Sequence, residues 1–241
     1  MINVPGADTD ASHLADQTAA SRRVPTREDL RGLADEQAAL RRVAELVAGG
    51  ASPPRVFDAV ADEACRLLGG HFTALLRYEA DGAAVIVAMW GAEAVRHMMH
   101  VGMRLSVDGD GMVQRVQRSA RAVRIDSYEG VPGTNATTAR DLGLTSGVGA
   151  PIITEGRVWG AITVLGTGPP LPASAEDRLE MFAKLVATAI ASAQARANLA
   201  ALANDQAALR RVAELVARGA APREILPRSP RKRRSCSAAR P

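Results

Sequence analysis

Residues 146–166 read SGVGAPIITEGRVWGAITVLG. Two runs rich in Val, Ile and Thr, 146–154 and 157–166, flank Glu155 and Gly156, and a two-residue connection of this kind joins antiparallel strands into a hairpin. A second hairpin lies upstream, where FTALLRYE at 72–79 and AAVIVAMWG at 83–91 are separated by the turn-forming pair Asp81 and Gly82. Between the hairpins, MRLSV at 103–107 and AVRID at 122–126 read as short strands on either side of a helix over 111–120. The loop YEGVPGTNATT at 128–138 then leads into a short helix ending near Gly143. This order does not alternate as βαβα, so it predicts an α+β domain on an antiparallel sheet.

Helices frame that domain. Ser52 followed by Pro53 is a helix start, and apolar residues at 56, 57, 60, 64, 67 and 68 give the helix one face before Gly69 and Gly70 end it. Further out, the chain repeats itself: LADEQAALRRVAELVAGGASPPRVF at 33–57 returns as LANDQAALRRVAELVARGAAPREIL at 202–226, with 17 identities in 25 positions at an offset of 169. That offset is far longer than a solenoid repeat, so the unit repeated is a whole domain with its leading helix. In both copies the positions 30, 33, 37, 40, 44, 47 and 199, 202, 206, 209, 213, 216 read Leu, Leu, Gln, Leu, Ala, Val. Steps alternating three and four make a short heptad-like seam, with the Gln able to fix register. The same pattern serves a helix packed on its own domain. From Ala173 to Arg218 there is neither Gly nor Pro, which predicts one long helix. The expected boundaries are a disordered segment over 1–25, a leading helix over 26–50, the domain over 51–198, the start of a truncated second unit over 199–226, and a basic disordered tail over 227–241.

Composition narrows the function classes. The chain has 241 residues, 47% hydrophobic and 23% charged, which is the globular range. Phe, Trp and Tyr number three, two and two, so the core is built from small aliphatics, and an aromatic platform for stacking bases is not expected. The longest apolar run, AAVIVAMW at 83–90, is far short of the roughly 20 residues that cross a bilayer. The N-terminus has no basic start and no apolar core, so a cytoplasmic protein without a membrane span is expected. The net charge of +4 resides in the last fifteen residues; without their six basic side chains the remainder has 24 basic and 26 acidic groups, a net of −2. RKRR at 231–234 is the one cluster that could attract nucleic acid or acidic lipid. Cys65 and Cys236 sit in unrelated contexts, so a disulfide framework is not expected.

The closing hairpin at 146–166, with Pro151 before its turn and Gly160 within its second strand, resembles that of GAF domains. LRRVAELVAGGASPPRVFDAVADEACRLLG, FTALLRYEADG and VQRSARAVRIDSYEG resemble the opening helix, first strand and middle segment of the same family. The wording is similar to GAF units placed in series in actinobacterial sensor histidine kinases, and the 28 Arg against 2 Lys suit such a source. The resemblance implies a six-stranded antiparallel sheet flanked by helices, a small-molecule pocket on one face, a homodimer through the terminal helices, and a signalling partner. No phosphoacceptor box or ATP-binding box follows, so the chain is expected not to be an enzyme. The alternative expectation is a sensor-kinase fragment that has lost its kinase domain. The loop SYEGVPGTN replaces the signature of cyclic-nucleotide GAF domains, and no cysteine lies where bilin-attaching members carry theirs.

The resemblance places Met89, Trp90, Met112, Ile125, Asp126, Tyr128, Thr145 and Ser146 around the pocket, although Met89 and Trp90 point to opposite faces of one strand. His97 and His100, spaced i and i+3, are candidates for a metal or a haem iron, with Met98, Met99 and Met103 beside them as apolar walls. Asp108, Asp110 and Glu155 are expected to serve turns and caps. The ligand's identity is left open.

Overall fold

The computed structural model describes residues 26–217. The segment 1–25 and the tail 227–241, with its basic cluster, lie outside the described residues, as does the end of the repeated segment. The elements are α1 (Arg27–Ala48), α2 (Pro53–Leu68), β1 (Phe72–Tyr78), β2 (Ala83–Gly91), α3 (Glu93–Met98), β3 (Arg104–Ser106), α4 (Met112–Ser119), β4 (Val123–Ile125), α5 (Thr134–Asp141), β5 (Ser146–Thr154), β6 (Arg157–Gly166) and α6 (Ala175–Ala217). The strands form one six-stranded sheet in the order β3-β2-β1-β6-β5-β4. Every neighbouring pair is antiparallel. The six-stranded antiparallel sheet that the resemblance implies is therefore present, with α3 as an extra short helix in the stretch that carries His97.

Local chemistry sets the element ends. Gly69 closes α2 in the left-handed region at φ 65°, its N–H donating to the Arg66 carbonyl while the Gly70 N–H donates to that of Cys65. At the β5–β6 turn Glu155 and Gly156 both have positive φ, 51° and 74°, the requirement of a type I′ turn. Within β6, a Cβ on Gly160 would stand 2.0 Å from the Leu76 carbonyl oxygen of β1. The central strand pair, which joins the first hairpin to the last, thus depends on a residue without a side chain there.

Alternation sorts β1 and β6 between two layers. Thr73, Leu75, Ile162 and Val164 are buried on one face; Thr73 lies beside Cys65 of α2, and Val164 stands against Gly70 just beyond it. Phe72, Ala74, Leu76, Ala161 and Leu165 belong to a core cluster on the other face with Met112, Val113 and Val116 of α4 and Ala136 and Ala139 of α5. Burial pushes the Cys65 thiol up, so it behaves as a small apolar side chain.

Residues up to Ala189 form one compact unit and those from Ile190 a second. In the first unit α1 seats on the domain through buried Ala39 and Val43. Arg42 makes a two-pronged ion pair with Glu63 of α2 at 2.5 and 2.8 Å, and Arg178 of α6 donates to Glu36 at 2.9 Å. The seam residues Leu30, Leu33 and Gln37 are not buried, and both leucines are more than half exposed. The helix therefore has two faces, one seated on its domain and one free. The first part of α6 buries Leu179, Phe182, Ala183, Val186 and Ala189. In the second unit Leu199, Leu202, Gln206 and Leu209, the second copy of the seam, are all exposed.

Gly160→Ala tests the central pairing. Overpacking against a backbone carbonyl should lower the unfolding free energy by about 2–3 kcal/mol, measured by urea denaturation. An unchanged midpoint would show that β1 and β6 can separate at no cost.

Candidate functional site

The site begins at glycines of β5. A Cβ on Gly149 would lie 2.8 Å from the Met112 sulfur and 2.9 Å from a Val116 methyl, so α4 rests on bare strand backbone. Tyr78 reaches over from β1 and its hydroxyl donates to the Val113 carbonyl at 2.7 Å. Gln114, also on α4, donates to the Ser106 and Asp108 carbonyls at 3.3 and 2.5 Å, tying α4 to the end of β3. Asp108 accepts from the Thr134 hydroxyl at 2.9 Å at the start of α5, a hydrogen bond that holds its carboxyl below the usual range. Asp110 pairs with Arg118 and Arg115, and these hydrogen bonds lower it likewise. These carboxylates are thus engaged in a helix start and an ion-pair cluster.

Between α4, α5 and the sheet a cavity of about 50 Å3 remains. β1 contributes Phe72, Ala74 and Leu76, β6 contributes Thr163 and Leu165, and β3 contributes Leu105. Met112 and Val113 of α4 form another wall, with Asn135, Thr138 and Ala139 of α5. Met99, Tyr128, Leu142 and Leu144 complete it. None of these lining residues is a Lys, Arg, Asp, Glu or His.

Tyr128 is held by its backbone. Its N–H donates to the Thr145 carbonyl, and its own carbonyl accepts from Arg140, whose same nitrogen donates to the Val131 carbonyl, both at 2.8 Å. Arg140 thereby fixes the loop to α5. The Tyr128 side chain itself is buried. Burial pushes its phenol up, so it stays neutral in the folded protein.

Of the eight residues that the resemblance places around the pocket, the structure brings Met112 and Tyr128 to the cavity wall. Ile125 is buried in the same core cluster and Met89 packs half-buried against it, but neither lines the cavity. Trp90, paired with Thr73, lies on the opposite strand face and is 39% exposed. Asp126 is exposed and pairs with Arg124. Thr145 bonds through its hydroxyl to Gly166 and Gly168 where the chain leaves β6. Ser146 is buried, with its hydroxyl unpartnered, on the same strand face as Val148, away from Gly147 and Gly149. No sequence signal singled out the α5 wall or Arg140. The alternation of Phe72, Ala74 and Leu76 along β1 was available as a pointer, and of Met98, Met99 and Met103 the cavity wall includes Met99 alone, Met98 being exposed.

His97 sits in the last turn of α3, whereas His100 follows Met99, whose extended backbone ends the helix. They therefore do not share a helical i, i+3 face, and both are exposed. Among the described residues no group of three or more His, Cys, Asp or Glu is arranged to hold a metal ion. A haem or a linear tetrapyrrole does not fit this cavity: no imidazole lines it, and Cys65 belongs to the opposite layer. No helix among the described residues is long and apolar enough to cross a membrane.

The family model of the GAF domain matches residues 52–190. No curated protein matches the chain. The GAF domain of the phosphoenolpyruvate-protein phosphotransferase of Acinetobacter superposes with a TM-score of 0.53 at 18% identity, covering 68% of this chain and 97% of that one. The phycocyanobilin-bound GAF domain of a cyanobacterial phytochrome gives 0.57 at 16% identity, covering 67% of this chain and 96% of that one. For a bacteriophytochrome of R. palustris the score is 0.61 at 16% identity, with 81% of this chain covered but only 44% of that one. At these identities the likeness is one of fold.

The chain has two tyrosines, Tyr78 and Tyr128, and burial raises both phenols. A phenol raised on folding contributes its full stability below the unfolded-state value of about 10 and loses it as pH rises beyond. Alkaline titration followed at the phenolate absorbance should therefore show almost no ionisation near pH 10 in the folded protein. Phenolate should appear only together with loss of helical circular dichroism. Half-ionisation near pH 10 in a still-folded chain would show that these rings are open to water.

Proposed function

The chain belongs to the GAF family, and on that premise we propose that it is a non-catalytic sensory module that takes a small neutral molecule into the α4–α5 cavity and signals through paired terminal helices. The observation that carries this reading is the largely apolar cavity wall, which includes the buried Tyr128 ring and no charged side chain. A largely apolar enclosure without charged groups suits a small uncharged molecule. A charge placed there without a partner would cost several kcal/mol, which speaks against nucleotides and carboxylates. The bilin-bound relative lends support to the general idea of a small molecule inside this fold.

Output runs through the helices. The exposed Leu30, Leu33, Leu199, Leu202 and Leu209 favour pairing of two chains along these seams. Occupancy that favours one of two helix arrangements shifts their populations by the difference in its affinity for the two. A partner protein receives the change. A second reading is favoured by the return of the leading helix at 202–226: the module is one of several in series in a sensor kinase of the two-component type.

Acetone and acetate, nearly equal in shape and different in charge, separate these expectations. With four heavy atoms and a ceiling of about −1.5 kcal/mol per atom, acetone binds no tighter than roughly tens of micromolar. It should give saturable NMR shifts at Tyr128 and Met112, acetate should give none, and Ala139→Leu should abolish the response by filling the cavity. Equal responses to both probes, or a response untouched by Ala139→Leu, would remove the cavity as the site.

A further inference from the structure

The internal repeat leaves one surface unexplained. In α1 four side chains make the seat on the domain: Ala39 and Val43 are buried, Arg42 grips Glu63 of α2, and Glu36 accepts from Arg178 of α6. The offset of 169 puts Ala208, Val212, Arg211 and Asp205 at the corresponding positions. Residues 206–217 repeat 37–48 without a change, and Asp205 keeps the charge of Glu36. Yet all four are exposed in α6, with Val212 at 42%. The seam is a different surface, because positions 205, 208 and 212 each precede a seam position by one residue and so lie rotated by about 100° around the helix. Pairing along the seam leaves the second seat-forming face uncovered.

We propose that residues 205–217 are a second docking helix whose seat is the α2–α6 groove of another copy of this chain, taken in place of that copy's α1. The groove fits these side chains, since α1 fills it with nearly the same sequence. It also has the required charges, with Glu63 for Arg211 and Arg178 for Asp205. The seat in a chain's own domain is taken by α1, so the second segment turns to another copy. Displacing α1 there costs little beyond concentration, because the incoming segment brings the same Ala, Val and Arg and a carboxylate one carbon shorter than Glu36, as in domain swapping. The docking requires no ligand in the cavity.

Charge exchange in the full-length chain tests it. E63R repels both Arg42 and Arg211; E63R/R211E restores the pair only for the α6 segment, and E63R/R42E restores it only for α1. Sedimentation equilibrium should give E63R/R211E a dissociation constant at least about tenfold lower than that of E63R/R42E. Circular dichroism and a cooperative melt establish that both are folded. Equal constants, as pairing along the seam alone would give, overturn the proposal. So does a chain that stays monomeric throughout, which would assign the face to a different GAF-type unit. If either double variant fails to fold, R211E decides, because its site is exposed: association weakened several-fold supports the proposal, and unchanged association overturns it.

Discussion

Bare backbone at two positions governs this molecule. Gly160 lets the Leu76 carbonyl come close enough for β1 and β6 to pair, and Gly149 lets α4 lie against β5 with Met112 and Val116 where a side chain would stand. The first joins the two hairpins into one sheet. The second fixes the distance between α4 and the sheet, and with it the height of the cavity. A larger residue at either position would separate layers that a core of small aliphatics has few bulky side chains to bridge. The Tyr78 hydroxyl on the Val113 carbonyl then holds α4 from the other side.

Much of this was legible in the chain itself. The two hairpins, the short strands at 104–106 and 123–125, and the long final helix follow from alternation, turn residues and the absence of Gly and Pro, all of which are local signals. The cavity was less legible because it is made by side chains from β1, β3, β6, α4, α5 and three loops, and no local pattern records which of them converge. Met112 and Tyr128 were reached through the family likeness. Trp90 illustrates the opposite case: a one-residue step along β2 moves it from the face of Met89 to the face of Thr73. His97 and His100 show a pattern that depended on a helix continuing, and it ends between them at Met99.

The sheet links the cavity to the helical layer of the first unit by the simplest route. Thr163 and Leu165 line the cavity, and their chain neighbours Ile162 and Val164 are buried on the other face, in the layer that contains α2. A small displacement of β6 on one side is therefore felt on the other, since close-packed interiors transmit strain. α1 is fastened to α2 and α6 by two ion pairs and a small apolar patch, a light attachment beside the strand pairing beneath it. A sensor needs an element of this kind, held but not locked.

The central claim is that filling the cavity alters the terminal helices. Hydrogen exchange of the full-length protein, with and without saturating acetone, tests it most directly. The account predicts changed amide protection in α4, at the cavity wall, and also in α1 and in residues 199–217. Protection that changes in α4 and β1 while both terminal helices exchange as before would contradict it.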